Sequence, residues 1–327
     1  VPSVQRSAEP VRHLSASDLG VGAGPALEEH SSNRPDDPEL PRDHPLLTQV
    51  RGLLEFFGGI LFTGPPGTSK SYFAAKIGNN LAGDGSRIRF VQFHPSYQYE
   101  DFMQGFVPNA DGDGFALEAK YFVSMCRNAV ADPENTHVLV IDELSRGDPG
   151  RVFGEALTYI EKSKRGLSFS LASGDNCVVP PNLVILATMN PLDRGVDEVD
   201  AAFERRFAKI AMEPDRNILD NQLATNGVSQ PLRRRVTGFF DRVNGFARTS
   251  PQGTIGHTYF WDVFDEASLQ RVWDHQLRFL LEKAYRLDPE TFKTLRASFE
   301  RIFDATSEVE QPTDDAPSDE PESHQSE

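Results

Sequence analysis

The sequence predicts an α/β fold with a mainly parallel sheet of five strands, followed by a small helical domain. Three observations predict it. Short apolar runs alternate with segments of helical periodicity. A turn, Gly64-Pro65-Pro66-Gly67-Thr68-Ser69-Lys70-Ser71, joins the first of those runs to a helix. Beyond Pro214 the alternation stops and helical spacing takes over.

Taken in order, His44 to Phe57 carries Leu46, Leu47, Val50, Leu53, Leu54 and Phe57 at helical intervals and leads into Gly58-Gly59. Strands are expected at Ile60–Thr63, Ile88–Phe93, His137–Ile141, Leu183–Ala187 and Phe207–Met212. Helices are expected between them, at Tyr72–Leu81, Leu117–Val130, Val152–Glu161 and Val199–Arg206. That alternation implies parallel strands covered on both faces. Leu167–Leu171 and Asn176–Val179, separated by Ser173-Gly174-Asp175, read as a hairpin. Further helices are expected at Asn217–Leu223, Leu232–Phe246, Ser268–Tyr285 and Asp288–Phe303. The expected organisation is a core over residues 44–213, a helical domain over 214–303, and polar, disordered tails at 1–43 and 304–327.

The net charge of −16 belongs mostly to those tails. The stretch from Asp304 carries nine acids and neither Lys nor Arg, and residues 1–43 carry eight acids against four arginines. About −3 is left for the middle, so the expected folded part is nearly neutral. No basic block argues for direct nucleic-acid binding. No stretch approaches the ~18 apolar residues of a membrane span, and the N-terminus has no apolar leader. Cys126 and Cys177 form no metal pattern and read as free thiols of a reducing compartment, so a cytoplasmic location is expected.

The turn at 64–71 carries the clearest chemistry. A glycine-rich turn between strand and helix wraps backbone N–H groups around phosphates, and the helix N-terminus adds favourable partial charge. Lys70 reaches the β/γ-phosphates, and the Ser71 hydroxyl stands where Mg2+ would be held. Gly64 through Tyr72 is therefore the expected nucleotide-binding stretch, with Ser69 where a glycine is usual. Downstream, Val138-Leu139-Val140-Ile141-Asp142-Glu143 delivers two carboxylates at a strand end, where parallel-sheet sites lie. Asp142 is the candidate Mg2+ ligand, and Glu143 the candidate for orienting or deprotonating an attacking water. Their alternative is to cap the helix that follows. Asn190, past Leu183–Met189, is close enough to touch the γ-phosphate or its water. Arg205 and Arg206 either supply charge to a neighbouring subunit's nucleotide or form a surface ion pair.

These motifs resemble the AAA+ NTPases, and more closely the motor subunit of modification-dependent restriction systems, the McrB type. The likeness is carried by Phe93-His94-Pro95-Ser96-Tyr97-Gln98-Tyr99-Glu100-Asp101-Phe102, by Ile141-Asp142-Glu143-Leu144-Ser145-Arg146, by Ala187-Thr188-Met189-Asn190-Pro191-Leu192-Asp193-Arg194 with Phe203-Glu204-Arg205-Arg206-Phe207, and by Ile255-Gly256-His257-Thr258-Tyr259-Phe260. It covers roughly residues 45–300. It implies an AAA+ P-loop NTPase core of five mainly parallel strands, a small helical lid and a hexameric ring. By that likeness Asn190 is the sensor residue and Arg205 and Arg206 are arginine-finger candidates. Asp193 and Arg194 bridge subunits or hold their own turn, and Arg146 contacts a neighbour or only solvent. His257 and Tyr259 approach the base or phosphates, or pack in the lid core.

The implied substrate is ATP with Mg2+, with GTP as the alternative because the McrB branch is associated with it. The implied partners are further copies of the chain and a separate nuclease or client protein, with DNA reached only through the assembly. The family's motor subunit often has an upstream reader domain, for which residues 1–43 are too short and polar. Two other readings stay open: a MoxR-like chaperone that activates a client enzyme, and a nucleotide-gated scaffold with very slow turnover.

Overall fold

All five apolar runs become strands of one sheet. The structure, a computed structural model, describes residues 39–109, 111–191 and 201–304. The strands are β1 (Gly59–Thr63), β2 (Ile88–Gln92), β3 (His137–Asp142), β4 (Leu183–Met189) and β5 (Phe207–Ala211). They lie in the order β2-β3-β4-β1-β5, and every pairing is parallel.

Successive side chains of a strand point to opposite faces. Ile60 and Phe62 of β1, with Val138 and Val140 of β3, pack into one core beside Leu47, Val50, Ala74 and Ile77 of two helices, Pro45–Leu54 and Lys70–Ala82. Leu61, Leu139 and Ile141 pack into the other core, with Phe93, Phe102, Phe122 and Phe153. Both faces are covered, which is why these runs are apolar without alternation. Each such fully buried side chain contributes roughly 1.5–3 kcal/mol. Arg165, half-buried, locks the sheet from below, donating to the Leu183 carbonyl at 2.8 Å and the Gly58 carbonyl at 2.5 Å. Burial lowers its pKa to about 10, which leaves it cationic at neutral pH.

Register decides what meets at the upper edge. Thr63 lies opposite Met189, and Ile141 opposite Ala187. One residue further on, Gly64 adjoins Asn190 and Asp142 adjoins Thr188.

Three expectations are corrected or trimmed. The helix expected from Leu117 starts at Tyr121, because Phe115–Ala119 pairs antiparallel with Gln104–Pro108. Phe106 lies directly opposite Leu117, and Gly112 and Gly114, at φ 73° and 84°, help turn the chain between the strands. The helix expected over Val152–Glu161 is two pieces, Pro149–Phe153 and Ala156–Tyr159. Gly154 separates them at φ 49° and ψ −128°, with the Tyr99 ring only 2.7 Å from where a Cβ would stand. Before β5, the helix spans Ala201–Glu204, and the expected start at Val199 lies outside the described residues. The hairpin before β4 pairs Ser168–Ser170 with Asn176–Val178 as expected.

After β5 come helices Arg216–Thr225 and Gln230–Ala247, a continuous helical run from Glu266 to Ala284 with one π turn at Trp273–Leu277, and Pro289–Glu300. Their shared core is aromatic, with Trp273 stacked on Phe299 at 4.3 Å. The chain is thus an α/β AAA+-like core followed by a helical lid. The expected tails lie outside the described residues except for 39–43 and Asp304. Among the described residues no helix is long and apolar enough to cross a membrane, and Cys126 and Cys177 are buried free thiols.

Candidate nucleotide-binding site

The loop leaving β1 is held tightly. Gly64 donates to the Met189 carbonyl at 3.3 Å, and an added Cβ would stand 2.2 Å from the Met212 carbonyl oxygen, so only glycine fits. The Pro65 carbonyl accepts from the buried Thr68 hydroxyl at 2.9 Å and from Lys70 Nζ at 2.7 Å. These bonds curl the loop, with exposed Pro66 at its crest. Gly67 sits at φ 77°. Ser69 follows at φ 62° and ψ 22°, left-handed backbone that costs a residue with a Cβ about 1–2 kcal/mol. The Ser69 side chain makes no capping bond to helix Lys70–Ala82, so it does not occupy the first N–H groups of that helix. Those donors are the elements of a phosphate cradle. Tyr72, one turn in, is half-buried and stands edge-on to Phe73.

Across the loop, Asp142 ends β3. Its Oδ1 accepts from Ser71 Oγ at 2.6 Å and from Thr188 Oγ1 at 2.5 Å. Thr188 Oγ1 in turn accepts the Glu143 backbone N–H at 3.1 Å. Glu143 has φ 55°, and its Oε2 accepts from Arg146 Nε at 3.1 Å. Ser69 and Glu143 are the two non-glycine residues with positive φ among the described residues, and both border this site. Strain of that kind collects where structure serves chemistry. Asn190 is buried just past β4, beside Gly64.

The donor set suits Mg2+. Ser71 and Asp142 offer oxygen alone, and the described residues hold no group of three or more His, Cys, Asp or Glu that could cage a metal. Mg2+ takes one or two protein oxygens and completes its shell with water and substrate phosphates.

The lid touches the loop directly. Thr258 N–H donates to the Gly67 carbonyl at 3.0 Å. Ser69 Oγ lies 2.8 Å from His257 Nε2. The other ring nitrogen, Nδ1, accepts the Asp215 backbone N–H at 3.3 Å. A backbone amide only donates, so the neutral ring carries its proton on Nε2 and donates it to Ser69. Burial lowers the His257 pKa to about 4, against the pull of Asp215.

The two arginines differ. Arg206 is 7% exposed, whereas the Arg205 side chain is 66% exposed and reaches Glu161 at 3.9 Å. Both precede β5, at the end of the sheet opposite the loop. Phe207 lies beside Gly59, where β1 begins, and Gly64 follows where β1 ends. A five-residue strand rises about 16 Å. The structure therefore brings together 64–72, Asp142, Glu143, Asn190 and His257, and leaves Arg205 and Arg206 away from them. Asp193 and Arg194 lie outside the described residues. Sequence reasoning gave no role to Thr188 or to Asp215, whose bonds to Asp142 and to His257 cross 46 and 42 residues of chain.

A curled phosphate loop after β1, an Asp-Glu pair at the end of β3, one strand away across β4, and a helical lid resting on the loop are the parts of a P-loop NTPase domain of the AAA+ class. Residues 59–207 match the AAA domain family, dynein-related subfamily. The chain is 35% identical over 216 residues to the type IV methyl-directed restriction enzyme EcoKMcrB subunit of Escherichia coli, covering 62% of this chain and 47% of that protein. It is 24% identical over 200 residues to the type II restriction enzyme BsuMI component YdiS of Bacillus subtilis, covering 48% and 58%. The chain carries an AAA+ ATPase domain related to McrB-type subunits. NTP hydrolysis is the activity at the family level. The chain spans about half the length of the curated relatives it matches.

Proposed function

We propose that this protein is a Mg2+-dependent nucleoside triphosphatase that works as a hexameric ring and drives a separate nuclease in restriction of modified DNA. One observation carries the nucleotide chemistry: Ser71, Asp142 and Thr188 converge through 2.5–2.6 Å hydrogen bonds beside the loop at Gly64–Lys70. The names of both relatives, components of restriction enzymes, support the nuclease partner. DNA is reached through the assembly. Two free thiols suit a cytoplasmic setting.

Backbone N–H groups of the loop and Lys70 bind the phosphates. Bound Mg2+ would be held by Ser71 and Asp142, and it supplies charge neutralisation on the phosphate oxygens. Thr188 orients Asp142. Glu143 orients the attacking water and takes its proton, and Asn190 positions that water against the γ-phosphate. Arg205, exposed and a strand's length from its own loop, serves the nucleotide of the next subunit, which requires head-to-tail packing.

ATP is the proposed substrate and GTP its competitor. Steady-state hydrolysis of each by one sample, with oligomeric mass recorded, tests the reading. Turnover that rises with ring assembly and disappears in Lys70→Ala is expected. A ring that hydrolyses neither nucleotide overturns it.

A further inference from the structure

Ser69 occupies a position where glycine is usual, in a backbone conformation that favours glycine, and its hydroxyl does not cap the helix it precedes. The hydroxyl instead accepts from His257, 188 residues away. His257 is 1% exposed and is held from behind by the Asp215 N–H. Asp215 is the N-cap of the first lid helix, and its side chain accepts from Asn217 N and Ile218 N. A chain of bonds thus runs from the base of the lid through one imidazole to the phosphate loop.

Two neighbouring contacts reinforce it. Thr258 N–H binds the Gly67 carbonyl, and Gly256 lies so close that an added Cβ would stand 2.0 Å from that same oxygen. Lid residues 256 and 258 therefore both meet the loop at Gly67, and residue 257 between them meets it at Ser69. The backbone contacts at 256 and 258 are open to any lid that rests on the loop. The side-chain bond is particular to a serine at 69 and a hydrogen-bond donor at 257.

We infer that Ser69 and His257 form a latch between phosphate loop and lid that slows the release of bound nucleoside triphosphate. This rests on the nucleotide-binding reading above. Nucleotide phosphates lie against the loop that the lid grips. A lid that swings away to let them leave must break the 2.8 Å bond. Ser69 is a positioning residue here: it sets how long the lid stays down.

The test is stopped-flow release of a fluorescent N-methylanthraniloyl derivative of ATP, and of GTP, from the full chain with Mg2+. Ser69→Gly removes the whole hydroxymethyl side chain and relieves the left-handed strain, so folding is not at issue. Release from it is expected to speed up about three- to tenfold, the worth of one hydrogen bond. His257→Ala should match it, His257→Gln should keep slow release because its amide donates, and the double variant Ser69→Gly/His257→Ala should be no faster than either single change. A purely structural role for Ser69 would not produce that non-additivity or the glutamine rescue. Release from Ser69→Gly at the wild-type rate, or additive effects in the double variant, overturns the latch while leaving nucleotide binding intact. Failure of the wild-type protein to bind either derivative overturns the nucleotide reading and the latch with it.

Discussion

Thr188 and Asp142 share a 2.5 Å hydrogen bond in which the threonine donates, while the same hydroxyl oxygen accepts the Glu143 N–H at 3.1 Å. One side chain on β4 thereby sets both carboxylate residues that leave β3. Thr188→Val keeps the shape and removes both bonds. It leaves the Glu143 amide without its acceptor, and a loss of about 1–3 kcal/mol in urea unfolding is expected. Turnover should fall about tenfold or more, with nucleotide affinity held within a few-fold. Thr188→Ser should recover most of both. Unchanged turnover in the valine variant would mean that the orientation of Asp142 and Glu143 does not depend on this hydroxyl.

Glu143→Gln separates binding from chemistry. Glutamine can still accept from Arg146, so the local turn should hold. Removing a general base typically costs 10²–10⁴ in rate. Expected, then, are wild-type nucleotide affinity by calorimetry and turnover lower by about that range. A variant that hydrolyses at the wild-type rate would remove Glu143 from the mechanism.

Arg205→Ala removes a solvent-exposed cation whose one described ion pair, with Glu161, spans 3.9 Å. Exposed pairs contribute little, so stability should change by less than about 0.5 kcal/mol. Turnover should drop about a thousandfold, as expected for a guanidinium supplied by a neighbour. Mixing Arg205→Ala with Glu143→Gln subunits should restore part of the activity, because each lacks what the other provides. No recovery on mixing would argue that Arg205 does not act across subunits. Arg206→Ala should instead destabilise the chain, since that side chain is buried.

Much of this was legible in the sequence, for definable reasons. Strands buried on both faces read as unbroken apolar runs, so β1, β3 and β4 stand out, and the loop 64–71 announces itself by local composition. The hairpin of Gln104–Pro108 and Phe115–Ala119 was not legible, because its apolar residues Phe106, Phe115 and Leu117 face solvent and imitate the start of a helix. Adjacent Arg205 and Arg206 look alike as letters, yet one residue of turn sends one into the interior and the other outward. Ser69 looked like a defect in the loop because its partner, His257, is remote in the chain. The same holds for Thr188, whose two bonds cross to a neighbouring strand.

Acid should weaken the fold through His257. Its folded pKa is about 4, below the ordinary value of 6.5. Between these values the unfolded chain takes up a proton that the folded chain refuses, so stability falls as pH drops through that window and is fully present above it. Thermal melts at pH 7.5 and pH 5 should show a smaller acid-induced loss in His257→Gln than in wild type. Equal losses would show that burial of this ring is not maintained in solution.

Gly256→Ala isolates the docking of lid on loop. The residue has φ −80° and ψ 160°, which alanine adopts freely, so no backbone penalty enters. The added methyl, however, would fall 2.0 Å from the Gly67 carbonyl oxygen and 2.1 Å from its carbon, and neither belongs to a flexible side chain. Lid segment and loop must separate, which breaks the 3.0 Å bond from Thr258 to Gly67. The lid's own aromatic core, built on Phe239, Trp273 and Phe299, does not include this glycine and should stay folded. Circular dichroism should therefore be unchanged while nucleotide affinity falls about tenfold, the effect of losing roughly 1.4 kcal/mol of closed-lid contact. Gly238→Ala is the control. It lies within helix Gln230–Ala247 with nothing within 4 Å of the new methyl, and should raise stability by about 0.5–1 kcal/mol without touching affinity. If Gly256→Ala binds nucleotide as tightly as Gly238→Ala does, the contact between lid and loop has no part in holding it.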